Sequence, residues 1–222
     1  MRSIFLSVSI SVLGLVAAAA PARASVWEIN SAHSTAAFSV RHMMVTNVSG
    51  QFGKITGTLD LDEKVPAKST VEVTVDATTI DTHEPKRDAH LKSPDFFDVA
   101  NHPTITFKST KVEKAGKGKY KVTGDLNMHG VAKPVTLTVE GPTEAVKNPM
   151  GGTMTRGAHA SGKLNRKDWN LNWNKALEAG GVLVGDEVTL NVDLELEAKQ
   201  EKPAEASMAA PAAPVPTKAA AK

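Results

Sequence analysis

The sequence predicts an all-β fold. The chief observation is a period of two, in which apolar and polar residues alternate in one segment after another of the 222-residue chain. Neighbouring side chains on a strand point to opposite faces, so each such segment has one dry face and one wet face. The second observation is the turn chemistry between the segments. The third is that a single stretch, Thr82 to Phe97, reads as helical.

The elements follow in order. Trp27-Glu28-Ile29 opens the chain's first strand region, and Ala36, Phe38, Val40 and His42 then alternate with Thr35, Ser39 and Arg41. In the next strand Phe52 is even while Ile55, Leu59 and Leu61 are odd. Gly53 sits where the parity slips and predicts a β-bulge, a common way to bend a strand round a barrel. Asp62 to Pro66 is a break, and Val71, Val73, Val75 and Ala77 resume the alternation. Glu84-Pro85 can open a short helix and Ser93-Pro94 must close it. Lying between two strands, this helix is expected to cross one barrel end as a lid.

Ile105 and Phe107, then Tyr120 to Met128, Val135 to Val139 and Val188 to Leu196 continue the pattern. Ala115 to Gly118 predicts a hairpin loop, and Gly130 a second reversal. Trp169 to Gly185 is irregular, holds two tryptophans and Gly180-Gly181, and is a second candidate for a mouth.

Composition sets the outer limits. Arg2, the apolar run Ile4 to Ala20 and Ala22-Arg23-Ala24 read as a signal peptide, residues 1–24, cleaved after Ala24. The apolar run, of about 17 residues, is at the short edge for a membrane span. An exported, periplasmic protein is expected. There is no cysteine, so the core and the sheet must hold residues 25–198 without disulfides. After Ala198 the chain turns to Ala, Pro and Lys, and residues 199–222 read as a disordered tail.

The chain's net charge of +2 misleads: the signal peptide carries two arginines and no acid, the tail four lysines against two glutamates, and the core is left with a slight acidic excess. Without a basic block, nucleic acid is not an expected partner. Outward strand positions are Thr, Lys, Asp and Glu, and aromatics are only 5% of the chain, which is the reverse of an outer-membrane barrel.

Four segments carry a resemblance. They are VWEINSAHSTAAFSVRHMMVTNVSGQFG (Val26 to Gly53), RDAHLKSPDFFDVANHPTITF (Arg87 to Phe107), GDLNMHGVAKPVTL (Gly124 to Leu137) and LNRKDWNL (Leu164 to Leu171). In this order, and together covering Trp27 to about Ala198, they resemble the YceI-like family of bacterial periplasmic polyisoprenoid- and lipid-binding proteins. The resemblance implies an eight-stranded antiparallel lipocalin-like barrel with an internal apolar cavity. Periodicity alone leaves a sandwich and a barrel equally open.

The resemblance also implies the ligand class, a long-chain amphiphile such as a polyisoprenoid, a quinone precursor or a fatty-acid-like lipid. No cofactor other than that lipid is expected. The candidate binding residues of cavity and mouth are Phe38, Val40, His42, Met44, Phe52, Arg87, Asp88, Leu91, Phe96, Phe97, Phe107, Leu126, Met128, Trp169 and Trp173. His42 ends an apolar stripe and reads either as a head-group contact or as a satisfied rim histidine. Arg87-Asp88 and Arg166-Lys167-Asp168 read either as local ion pairs or as head-group clamps.

Met43, Met44 and Met128 offer adaptable apolar surface. His33 and His129 flank tight turns and read as structural. No metal is expected, because His33 and His42, or His83 and His90, lack the spacing of a metal motif. No catalytic residue is expected either, since no nucleophile elbow or phosphate-binding glycine loop occurs.

The carrier reading has rivals. They are an enzyme acting on the lipid through Asp88 or His90, a metal- or haem-binding stress protein, and a structural envelope protein using its tail. A homodimer stays open.

Overall fold

A computed structural model describes residues 25–178 and 180–199. The expected signal peptide, and the tail beyond Lys199, lie outside the described residues. Twelve strand segments form one antiparallel sheet: β1 Ser25–Ile29, β2 Thr35–His42, β3 Thr46–Phe52, β4 Ile55–Leu61, β5 Thr70–Asp76, β6 Ile80–Asp81, β7 Thr104–Gly116, β8 Lys119–Met128, β9 Val131–Glu140, β10 Val146–Lys147, β11 Met154–Asn165 and β12 Val184–Ala198. One helix, α1 Pro85–Lys92, interrupts them.

Eleven of the twelve segments make eight barrel strands. β1 and β2 lie end to end along one edge of β12, with Ile29 opposite Leu196 and Thr35 opposite Asp193. β3 and β4 likewise form one broken strand, since β3 pairs with β2 and β4 pairs with β1. β5 pairs with β4, and β6 continues it against β3. The sheet then runs β7, β8, β9 and β11, and β11 closes on β12. β10 is a two-residue flap on β11. Closure removes the sheet's long open edges.

In place of the β-bulge expected at Gly53, the strand breaks between β3 and β4, and the break carries the change of inward parity. Phe52 is 7% exposed and Ile55 fully buried, so inward residues switch from even to odd there. The turns match their chemistry too. His129 and Gly130, at φ 52° and 73°, make the two-residue reversal between β8 and β9.

α1 begins and ends where the sequence places it. Glu84 caps it by accepting from Lys86 N, Pro85 occupies its first turn, and Ser93 follows its last residue. The outer barrel face carries exposed cross-strand ion pairs, such as Lys108–Glu72 and Lys119–Glu140, both at 2.6 Å. Each such exposed pair contributes little to stability. No helix among the described residues is long and apolar enough to cross a membrane.

Candidate functional site: an apolar channel through the barrel

The inward face of the barrel is apolar because every even or odd stripe read from the sequence turns inward together. What the alternation cannot reveal is how full the interior is. Val135, Leu137 and Val139 of β9 face inward yet are only partly buried. So are Val188, Leu190 and Val192 of β12. A side chain inside a closed barrel stays accessible only if the barrel is hollow.

β11 supplies the room. Its inner positions are Ala158, Ala160, Gly162 and Leu164, and the first three are small residues beside the long ones of β9 and β12. At Gly162 an added Cβ would lie 2.7 Å from Leu137 Cδ2, so a neighbour's side chain already crosses that position.

The resulting cavity has a volume of about 280 Å³. Its lining on β12 alone extends from Val184 to Leu196. At roughly 3.3 Å per residue that is about 40 Å of strand, or about 30 Å of height for a strand tilted by about 40°. A small volume drawn out over that height is a narrow channel, suited to a chain and not to a compact molecule.

Side chains narrow the channel at the α1 end. Phe38 lies 5.7 Å from Phe52, centroid to centroid, and Phe52 meets Phe97 edge-on at 5.6 Å. The Phe38 ring lies where a Cβ on Gly50 would be, 2.6 Å from Cζ, so Gly50 admits it. Leu91 of α1, Phe96 and Phe97 close over this end, as a lid should. Behind Phe96, Trp173 packs tilted at 5.3 Å, and His90 meets the Trp173 ring edge-on at 4.7 Å.

Nine of the fifteen candidate residues line the channel: Phe38, Val40, Phe52, Leu91, Phe96, Phe97, Phe107, Leu126 and Met128. The structure places the other six elsewhere. His42 stands off the lining at the end of β2, paired with Thr46 of β3 and with Val184, the outermost lining residue of β12. Met44 sits on the hairpin tip, 52% exposed and at φ 62°. Trp169 is buried behind the wall, where its Nε1 donates to Leu126 O at 3.0 Å. Trp173 stands outside Phe96.

Arg87 and Asp88 form neither the local ion pair nor a clamp. Both hold the buried Thr82. Asp88 accepts from Thr82 N at 2.9 Å and from its hydroxyl at 2.5 Å, while Arg87 donates to Thr82 Oγ1 and O at 2.8 and 2.7 Å. They fasten the lid helix to the end of β6.

Sequence reasoning underrated Arg166. It is 4% exposed, and among the described residues it is the one charged side chain on the channel wall. Its partners are far along the chain. It donates to Gly185 O at 2.9 Å, to Leu171 O, to Val184 O at 3.4 Å and to Asp186 Oδ1 at 3.3 Å. Burial pushes its pKa below the ordinary arginine value, and the Asp186 carboxylate opposes that. Of five guanidinium protons these contacts use four, leaving one on Nη1.

The comparisons with known proteins bear on this geometry. Residues 27–196 match the YceI-like domain. The chain belongs to the YceI-like family. It is 40% identical over 144 residues to a UPF0312 protein of Photorhabdus laumondii, covering 65% of this chain and 73% of that one. To Protein YceI of Escherichia coli O157:H7 it is 40% identical over 139 residues, covering 63% and 71%.

Among solved structures, Burkholderia cenocepacia BcnA aligns with a TM-score of 0.64 at 24% identity, over 75% of this chain and 98% of that one. The Campylobacter jejuni YceI protein aligns at 0.60 with 28% identity, over 72% and 90%. A polyisoprenoid binding domain from Saccharophagus degradans aligns at 0.56 with 14% identity, over 80% and 100%. At that identity the last likeness speaks to the fold alone.

Proposed function

We propose that this YceI-like protein is an exported carrier or scavenger of a long-chain amphiphile, working in the periplasm and holding the chain inside its barrel. The observation that carries the proposal is the set of long inward aliphatics left half-buried on β9 and β12, beside the small residues of β11. Such a surface is costly to leave against water, and a lipid chain covers it. Each methylene moved from water into the channel gains about 0.8 kcal/mol, so a dozen gain on the order of 10 kcal/mol before ordering costs.

The polar end of the ligand is read from the wall. Arg166 offers its spare Nη1 proton near the lid, which favours a head bearing an acceptor oxygen. The rival reading, an enzyme acting through Asp88 or His90, is less favoured. Asp88 is engaged with Thr82, and His90 pairs with Asp95 at 2.8 Å outside the lining.

The test is organic extraction of protein purified from its native host, followed by mass spectrometry. A single chain-like lipid near one per protein supports the carrier. Protein that emerges lipid-free, and takes up no polyprenyl or acyl lipid from vesicles, overturns it.

A further inference from the structure

We propose that Asp98, His102 and His129 form a binding site for one divalent transition-metal ion of the zinc class, on the outside of the barrel's lid end. Nothing in the channel requires such an ion, and the proposal stands apart from the lipid reading. The three residues come from two segments, the α1–β7 connection and the β8–β9 turn. Asp98 follows α1, His102 precedes β7, and His129 is in the β8–β9 turn. One ligand atom from each lies within 4.8 Å of the others, and all three residues are half-buried.

The geometry prepares the histidines. His129 Nδ1 is 3.0 Å from Trp169 O. A carbonyl can only accept, so Nδ1 carries the proton and Nε2 keeps its lone pair for a metal. A backbone carbonyl holding the far nitrogen is the usual outer support of a metal-binding histidine. The His102 and His129 rings lie 5.1 Å apart, centroid to centroid. Gly130 permits this, because a Cβ there would sit 2.8 Å from His102 Cε1. Asp98 Oδ2 accepts from Asn101 Nδ2 at 2.8 Å, which orients the carboxylate and leaves Oδ1 for a cation.

The chemistry selects the ion. Two imidazoles and one carboxylate suit zinc, copper or nickel better than calcium or magnesium. Zinc bonds of about 2.0–2.2 Å put tetrahedral ligand atoms about 3.4 Å apart. Loading therefore needs a closure of at most about 1.4 Å, within side-chain reach, and leaves the fourth position to water. His33, His90 and His159 each meet one carboxylate, Glu195, Asp95 and Asp193 respectively. They make two-ligand pairs and serve as controls. A bound ion would tie the segment after the lid helix to the β8–β9 turn.

The experiment is calorimetric titration of zinc into the full-length protein and its Asp98→Asn, His102→Gln, His129→Gln and His159→Gln variants. One zinc per chain is expected in the parent. Each of the first three variants should weaken it by at least about tenfold, and His159→Gln should leave it unchanged. Zinc should raise the melting temperature of the parent and not of those three. Should a histidine variant fail to fold, Asp98→Asn decides, since asparagine tolerates the φ of 45° there. Absence of saturable one-to-one binding in the parent overturns the site. So does undiminished affinity in Asp98→Asn, or an equal loss in His159→Gln.

Discussion

Two walls of the same barrel differ in how they bury equivalent residues. On β4, β5, β7 and β8, the inward Ile55, Val75, Ile105 and Leu126 are at most 9% exposed. On β9 and β12, Leu137 and Leu190 face the same interior and stay half open. Hydrophobicity does not distinguish them. Their neighbours do, because Leu91 and Phe97 pack against the cluster that holds the first four, whereas alanine and glycine on β11 stand beside the second. The dense patch of the first wall is a folding core, and the open patch of the second is a surface kept for something else. Elsewhere the walls mix, with Leu196 of β12 buried and Val71, Val73 and Phe107 half-buried.

The contrast breaks most sharply at Ile55. Ile55→Ala removes a fully buried side chain and leaves a void that rigid neighbours cannot fill. It should cost about 2–5 kcal/mol in denaturant unfolding of lipid-free protein. A loss under 1 kcal/mol would mean that this wall is as loosely filled as the other.

Ala160→Phe tests the open wall from the opposite direction. Ala160 sits between Val139 of β9 and Val192 of β12, so a ring there projects into the channel. Bound lipid per protein should fall by at least about tenfold, equivalent to about 1.4 kcal/mol, with far-UV dichroism retained. Unchanged loading would place the lipid outside the barrel. Leu190→Ala should cost lipid-free protein less than about 2 kcal/mol, because it enlarges an existing hollow and creates no new one. A cost equal to that of Ile55→Ala would remove the distinction between the walls.

The dense wall was legible in the sequence and the open one only in part. Val71 to Val75, Ile105 and Phe107, and Tyr120 to Met128 announce themselves by period two. The caps of α1 are written in Glu84-Pro85 and Ser93-Pro94. β11 was missed, because Ala158, Ala160 and Gly162 leave no apolar stripe, and a hollow is made of such residues. Parity also overreaches at His42, which stands off the lining although Val184 beside it is part of it. Arg166 could not be placed from local sequence. The carbonyls and the carboxylate that bury it come from Leu171, Val184, Gly185 and Asp186. The Asp98, His102 and His129 cluster has the same character, since its third member comes from the β8–β9 turn, 27 residues beyond His102, and no spacing motif records it.

The smallest expected effect concerns the corner that fixes the dense wall. Asp76 ends β5 and accepts from Thr78 N at 3.0 Å and from its hydroxyl at 2.6 Å, holding the turn in which Ala77 is fully buried. The Thr78 hydroxyl, more than any other group, keeps the Asp76 pKa below its ordinary 3.8, and burial opposes it. A carboxylate with a lowered folded pKa contributes stability above the unfolded value, and loses it as pH falls through the folded one. Asp76→Asn keeps the cap geometry and removes the charge, since asparagine caps about as well as aspartate. Solvent reaches Asp76 and screens its charge, so the parent should exceed the variant by well under about 1 kcal/mol near pH 7. The gap should close as pH falls below the ordinary 3.8 and through the lowered folded value. A gap that does not change with pH would mean that the cap works by geometry alone. The corner would then hold the dense wall equally well in acid.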